Sequence, residues 1–459
     1  MDVRNKTLKI VIFLFLILAS AGIVLGIFRE IEKIEFVSTD FISLIKNIPE
    51  EPKENPKEKI EVVDGILMIR ELDKEMIAER IEQGKEFLYR MEHDDLHGFY
   101  KQYNAEKDSF EERLHTVYSA SIIYTFLYVY DYNKDEKILA YLDDWGSFLL
   151  SMQETDKNSS RYGAFSYSYF LDTQEKPCLP ADREQRYVVG TSALSIFTLL
   201  RLHEITGNEK YLSSAKIAGD WLVSMQREDG VVKPYVRYNG EEWVYGTKLS
   251  LLYNGQSLSA LSKLYAETKD KKYYNSAKKI ADLFAKKYEQ AGRKYVVGEY
   301  RTINPISNTW LVMSLMDFHK ASGENYYKEI VFELSSQIIS NQFKNLDDLF
   351  NYGRIDGAYS TSGNGWISEV MTDTYSFCLE EKRNDCEKYK TTVLNIIRWI
   401  MARTYSEENV SLTKNPQRSL GGVFWNKSEK YVRTDSVCHG LNGYTRLMKY
   451  LDEGTLLSI

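Results

Sequence analysis

Apolar residues recur at three- and four-residue intervals along most of the chain, and these stretches come in pairs. Ala215, Ala218, Leu222 and Met225 fall on one stripe, with Trp221 beside it, which predicts an amphipathic helix. Asp229-Gly230 ends that helix, since glycine takes the positive φ that a turn after a helix needs. A Tyr- and Val-rich stretch follows, then a second helix from about Tyr253, where Gly255, Ser257, Ser259 and Ala260 permit close packing. The unit repeats. Gly98, Gly163, Gly230, Gly292, Gly357 and Gly422 follow successive first helices at gaps of 65, 67, 62, 65 and 65 residues. A fixed period with one supersecondary unit per repeat marks a repeat architecture. Six αα-hairpins closing on themselves predict an all-α (α/α)6 toroid over residues 63–459, and an open helical solenoid is the alternative. Outer helices are expected near 74–92, 136–153, 211–227, 273–290, 326–343 and 388–404. Inner helices are expected near 112–131, 186–205, 250–268, 307–322, 367–380 and 435–451.

The first 62 residues follow another pattern. Residues 1–9 carry Arg4, Lys6 and Lys9, and Ile10–Phe28 then runs without a charge, about the length that crosses a ~30 Å hydrocarbon core. The flanking charges predict a cytoplasmic tail, a transmembrane anchor over 10–28 and an exocytoplasmic body, localised at the cell membrane. Ala19-Ser20-Ala21 offers a signal-peptidase site as the alternative. Residues 29–62 include EEPKENPKEK, a Pro/Glu/Lys-rich spacer that builds no core. Asn158, Asn409 and Asn426 head glycosylation sequons.

A formal charge of −7 argues against nucleic acid as a partner. The 34 tyrosines suit sugar binding, since a phenol stacks on a pyranose while its hydroxyl bonds to sugar oxygens. The four cysteines form no CxxC pair, and Cys378 and Cys386 lie close enough in sequence to bridge outside the cell. No Rossmann glycine pattern, P-loop or HExxH occurs, and no histidine pair has metal spacing, so neither a cofactor nor a catalytic metal is expected.

In such a ring the loops from outer to inner helices converge on one face, where the inner helices also present their N-terminal N–H groups. Polar and aromatic residues in those loops and first turns are therefore the candidates. Glu369, His439, Tyr167, Tyr235 and Arg237 are read as catalytic. Arg186, Tyr187, Asn254, Gln256, Arg301, Asn308, Arg354, Tyr359, Trp366 and Asp435 are read as substrate-binding. Rings stack on sugars and Arg forks pair with carboxylates, so a glycan or acidic polysaccharide is the expected partner. Each residue also has a plain structural reading: Glu369 as a helix-terminus acid, His439 as an internal hydrogen bonder, Trp366 as core.

The helix–SMQ–DG turns of this hairpin ring resemble the six-hairpin glycosidase superfamily. LLYNGQSLSALSKLYAETKD resembles the inner-helix segment of glucuronyl C5-epimerase C-terminal domains, and TDSVCHGLNGYTRL is similar to that family's last hairpin. Asn254 stands where the epimerase pattern has Gln. N-acylglucosamine epimerase-like and unsaturated glycuronyl hydrolase-like rings share these features. Asp143-Asp144 resembles the double-Asp motif of some six-hairpin mannanases, but its mid-helix place predicts a solvated face.

Two chemistries are open. One is proton transfer at C5 of a uronate, giving epimerisation or elimination, with Arg237, Arg186, Asn254 or Gln256 neutralising the carboxylate and Tyr167, Tyr235, Tyr359 or His439 as acid or base. The other is glycoside hydrolysis, with Glu369 as acid and Asp356, Asp373, Glu299, Asp182 or Asp435 as partner. Abundant loop Tyr and Arg favour the first. A non-catalytic glycan binder is the third reading, and a prenyl cyclase-like ring fits these polar loops least.

Overall fold

Each inner helix follows its loop with a run of small or apolar residues, and each outer helix follows within a few residues, so the pairs pack antiparallel. The computed structural model describes residues 60–171 and 183–452, and the backbone of 457–458. The expected membrane anchor and most of the spacer lie outside the described residues, as does Asp182. Among the described residues no helix is long and apolar enough to cross a membrane.

Among the described residues, twelve long helices alternate between two layers. The outer ones are α1 (Lys74–Tyr89), α3 (Glu136–Ser151), α5 (Glu209–Ser224), α7 (Lys271–Gln290), α9 (Tyr326–Ser340) and α11 (Glu387–Met401). The inner ones are α2 (Thr116–Asn133), α4 (Val189–Thr206), α6 (Leu251–Thr268), α8 (Ile306–Ser322), α10 (Thr361–Glu380) and α12 (Thr434–Met448). Each inner helix packs on the next, and α12 packs back on α2, so the ring is closed.

Two polar devices recur around the ring. The glutamine of each SMQ turn ties a loop carbonyl to the next outer helix: Gln153 Nε2 donates to Gly163 O and Ser214 O, and Gln226 Nε2 to Gly230 O and Ser276 O. Near the start of an inner helix, an amide or hydroxyl holds the preceding loop. Asn254 Oδ1 accepts from Val232 N at 2.8 Å, Asn308 Oδ1 from Val296 N and Asn364 Oδ1 from Ile355 N, while Ser119 and Ser192 do the same for Phe99 and Phe165.

The recurring turn glycines are Gly163, Gly230, Gly353 and Gly421, all at φ between 84° and 91°. A Cβ on each would meet a backbone oxygen of the next outer helix. The sequence markers Gly357 and Gly422 therefore lie four residues and one residue past the equivalent turns, and Gly98 owes its place to Phe148 rather than to φ. At Gly421 that oxygen is Gln83 O of α1, 1.9 Å from the added Cβ, so the sixth turn locks onto the first outer helix. Gly421→Ala is expected to lose about 1–3 kcal/mol to backbone conformation alone, with the clash added. Gly207, at φ 66° with nothing near its Cβ, is the control. Thermal unfolding that ranks the two alanine variants equally would contradict this seam.

The ring is not purely helical. Adjacent loops are joined by short antiparallel strands: Arg113–His115 with Ser168–Phe170, Arg186–Val188 with Tyr235–Tyr238, and Val432–Arg433 with Gln102–Asn104. The last pairing joins loop six to loop one. Strands also explain why α2 and α4 begin at Thr116 and Val189, later than their apolar patterns suggest. Conversely α10 begins at Thr361, six residues early, where Ser360 Oγ caps it by accepting from Gly363 N, and the helix carries Gly363 and Gly365 inside it.

Candidate functional site

One residue per turn of each inner helix faces the ring axis, and the stripes superpose at i, i+4, i+7 and i+11. Val117, Gly190, Leu252, Ile306, Ser362 and Asp435 form the upper ring of a cavity of about 460 Å³, within the range of small-molecule sites. Four residues on come Ser121, Leu194, Gln256, Trp310, Trp366 and His439. Three further on, Tyr124, Phe197, Met313, Glu369 and Asn442 line the floor. Beneath it a charged layer closes the axis, where Lys263 Nζ pairs with Asp317 at 3.0 Å and Arg446 with Asp373 at 2.6 Å.

The chemistry concentrates where α10 meets α12. Gly365 allows the approach, since a Cβ there would lie 2.8 Å from His439 Cβ. Glu369, 3% exposed, accepts from His439 Nδ1 at 2.9 Å and from Asn442 Nδ2 at 3.2 Å. Arg446 Nη2 lies 3.1 Å from its other oxygen. Burial pushes the Glu369 carboxyl up, but Arg446, His439 and Asn442 together outweigh it and hold the group below its ordinary value. Glu369 is therefore an ionised acceptor. It fixes Nδ1 of His439 as the donor and leaves Nε2 as the ring nitrogen that can take a proton.

The neighbouring walls are aromatic and cationic. Trp310 and Trp366 stack at 3.9 Å, and His439 lies 5.4 Å from Trp366. Arg433 bridges Tyr118 Oη at 2.7 Å and Asp435 at 2.5 Å, with its guanidinium over Trp425. Ser362 Oγ also donates to Asp435. On the facing side Arg301 Nη1 donates to Tyr253 Oη at 2.5 Å.

Of the residues expected from sequence, Glu369, His439, Tyr167, Gln256, Arg301, Tyr359, Trp366 and Asp435 line the cavity. The others lie elsewhere. Asn254 and Asn308 are fully buried loop ties. Arg354 is buried under Phe343 and Tyr359 and bonds to Asn351 and Ala358. Arg237 is exposed on its strand and Tyr235 packs on Tyr300. Tyr187 bonds to Glu154, and Arg186 covers the Tyr167 ring at 3.9 Å from behind the wall. Tyr124 and Trp310 escape notice in the sequence because attention to loops and first turns ignores the second and third inner turns, and Tyr118 and Tyr253 escape it although both lie in first turns. The i, i+4, i+7 stripe shared by the inner helices is the signal that finds Tyr124 and Trp310, while Tyr118 and Tyr253 each lie one residue past it.

The acids sort just as clearly. Among the described residues, Glu369 and Asp435 are the carboxylates lining the cavity. Asp356 and Glu299 are exposed and bond to backbone N–H groups. Asp373 lies in the charged layer below. Asp143 and Asp144 are exposed on α3, as their mid-helix place predicts.

The sequence profile of Glycosyl hydrolase family 76 matches residues 191–302. Among solved structures, cellobiose 2-epimerase from Bacillus thermoamylovorans is 15% identical with a TM-score of 0.62, covering 83% of this chain and 100% of that one. An unsaturated glucuronyl hydrolase specific for heparin is 11% identical at a TM-score of 0.58, with the same coverage of 83% and 100%. The chain shares the six-hairpin toroid fold of these structures. An inactive α-1,6-mannanase variant from a Salegentibacter species, with two adjacent aspartates replaced and α-1,6-mannotriose bound, is 13% identical at a TM-score of 0.56, covering 82% of this chain and 100% of that one. No curated protein matches the toroid. The family 76 segment spans α4 to the loop before α8. It brings Tyr253, Gln256 and Arg301 to the cavity but no carboxylate.

Proposed function

We propose that this toroid is a carbohydrate-active enzyme that moves a proton on a sugar held in the axial bowl, with His439 as base and Glu369 as the group that orients it. The observation that carries this reading is the 2.9 Å bond from His439 Nδ1 to a buried, Arg-clamped Glu369. Trp310, Trp366 and Trp425 supply apolar faces for a ring, and Arg301 supplies a cation. Among the described residues no carboxylate lies within ion-pair reach of Arg301, so an acidic sugar can fill that role. This supports uronate C5 chemistry, in which the carboxylate both binds the cation and acidifies the neighbouring C–H.

Glycoside hydrolysis is the second reading, favoured by the family 76 match. It needs a carboxyl that stays protonated until it donates to the leaving oxygen. Glu369 is held ionised and Asp435 is paired with Arg433, so neither fits that role. A panel of uronate and neutral mannan oligosaccharides separates the two. The proposal expects C5 deuterium uptake or absorbance from an unsaturated uronate, and no new reducing ends. Reducing ends from mannan without deuterium uptake would favour hydrolysis. Binding with no turnover would favour the lectin-like reading.

Attachment to the membrane with an exocytoplasmic body belongs to the same proposal. The apolar run 10–28 supports it, as does a Cys378–Cys386 bridge, a bond of oxidising compartments. Protease access to the body in intact cells tests it, and a body protected there would refute it. The Asn409 sequon is closed to glycan in the folded chain, since that side chain is 1% exposed and bonds to Gly65 and Thr404.

A further inference from the structure

The reading above gives the bowl a base on α12 and leaves the other side of the sugar unassigned. Around the ring the inner helices run α2, α4, α6, α8, α10, α12, so α6 stands directly across the axis from α12. Leu252, Tyr253 and Gln256 are its residues at the bowl wall, and Tyr253 is 6% exposed. Gly190 on α4 makes room for that ring, since a Cβ there would fall 2.6 Å from Tyr253 Cδ1.

The hydrogen bond from Arg301 to Tyr253 has one possible direction. A guanidinium carries only donors, so the phenol oxygen accepts and its own proton is free for another partner. Among the described residues no protein acceptor is placed for it, and the bowl is the open side. The repeat-equivalent Tyr118 also accepts from an arginine, but Asp435 neutralises that one. Of these two tyrosine–arginine pairs, Tyr253–Arg301 is therefore the one with net positive charge. Burial pushes the Tyr253 phenol up and Arg301 only partly offsets it, so the group is a neutral donor near pH 7 and not a base.

We propose that Tyr253 is the proton donor that faces His439, and that Tyr253 with Arg301 forms the clamp for the substrate carboxylate. This rests on the uronate reading above. In the step, the C5–H bond breaks, the proton goes to His439 Nε2, and the electron pair moves into the carboxylate as an enediolate held by Arg301. When the pair returns to C5, a new C–H bond forms on the opposite face with the Tyr253 proton. A phenolate remains beside Arg301, and water returns the proton from His439 to it. The product is the C5 epimer, and nothing is oxidised or reduced.

The test follows deuterium and configuration together, using the full chain and glucuronate-containing oligosaccharides in D2O. Wild type is expected to exchange C5–H and invert C5. Tyr253→Phe is expected to keep exchange by His439 and to lower inversion at least tenfold relative to exchange. A merely structural role would lower both equally, and that result, or unchanged inversion, overturns the proposal. If Tyr253→Phe does not fold, Arg301→Lys serves: it is expected to raise KM for the uronate at least tenfold, and an unchanged KM counts against the clamp. Wild type that exchanges no uronate removes the reading of the bowl itself, and this proposal falls with it.

Discussion

His439→Ala is expected to lower turnover by about 10²–10⁴-fold, the range a positioned acid–base group contributes. The side chain faces the bowl and only about a fifth of it is exposed. Its removal leaves Glu369 with Asn442 and Arg446, so the carboxylate remains satisfied and the fold should hold. Glu369→Gln is expected to behave differently. A glutamine amide can turn its NH2 toward Nδ1, which forces the other tautomer and leaves Nε2 protonated and unable to accept. Turnover should drop with little change in KM, because the bowl wall is intact. Thermal unfolding within a few degrees of wild type, together with the kinetic loss, checks that both variants act on chemistry. Full turnover in either variant removes that residue from the site.

Arg446→Met is expected to cost about 3–5 kcal/mol of stability, because it leaves buried carboxylates without their cation. Arg446 is 7% exposed at the side chain, pairs with Glu369 and Asp373, and lies 4.2 Å over Tyr128. The double variant Glu369→Gln/Arg446→Met removes one charge of each sign and should recover part of the loss while remaining inactive. Denaturant unfolding of the single and double variants measures this, and equal stabilities would show the pair to be uncoupled. The pH dependence has a definite sign. The Glu369 carboxyl is depressed in the folded state, so its stabilisation is present above the ordinary carboxylate value near 4.3 and is lost as pH falls through its lowered folded value. Asp373 has the opposite shift, raised by burial against the pull of Arg446, and works against stability in the range above it. Glu369→Gln should therefore narrow the gap to wild type in acid.

The ring was readable because its signals are local. Helical stripes, turn glycines and a period near 65 residues each need only short stretches of sequence. The closing contact is equally local in cause, a glycine that admits the Gln83 carbonyl, but its partner lies more than 300 residues away and no spacing announces it. Glu369 and His439 were legible as residue types in the right turns. Their pairing was not, because it depends on Gly365 bringing two helices close. Asn254 and Asn308 misled for a physical reason: an amide at the start of an inner helix suits a sugar and a loop backbone equally well, and the loop wins when the side chain is fully buried. Arg446 stayed hidden because it lies three turns below the loops, where a charged residue reads as a solvated helix end. Arg237 went the other way, since alternate residues of a strand point outward and the register places it on that side.

The most direct measurement is C5 deuterium uptake by a uronate oligosaccharide in D2O, followed by NMR for wild type, His439→Ala and Glu369→Gln side by side. The account predicts uptake with the wild type and at least a hundredfold less with each variant. Uptake that persists in both variants, or mannan cleavage by the wild type with no uptake, would contradict it.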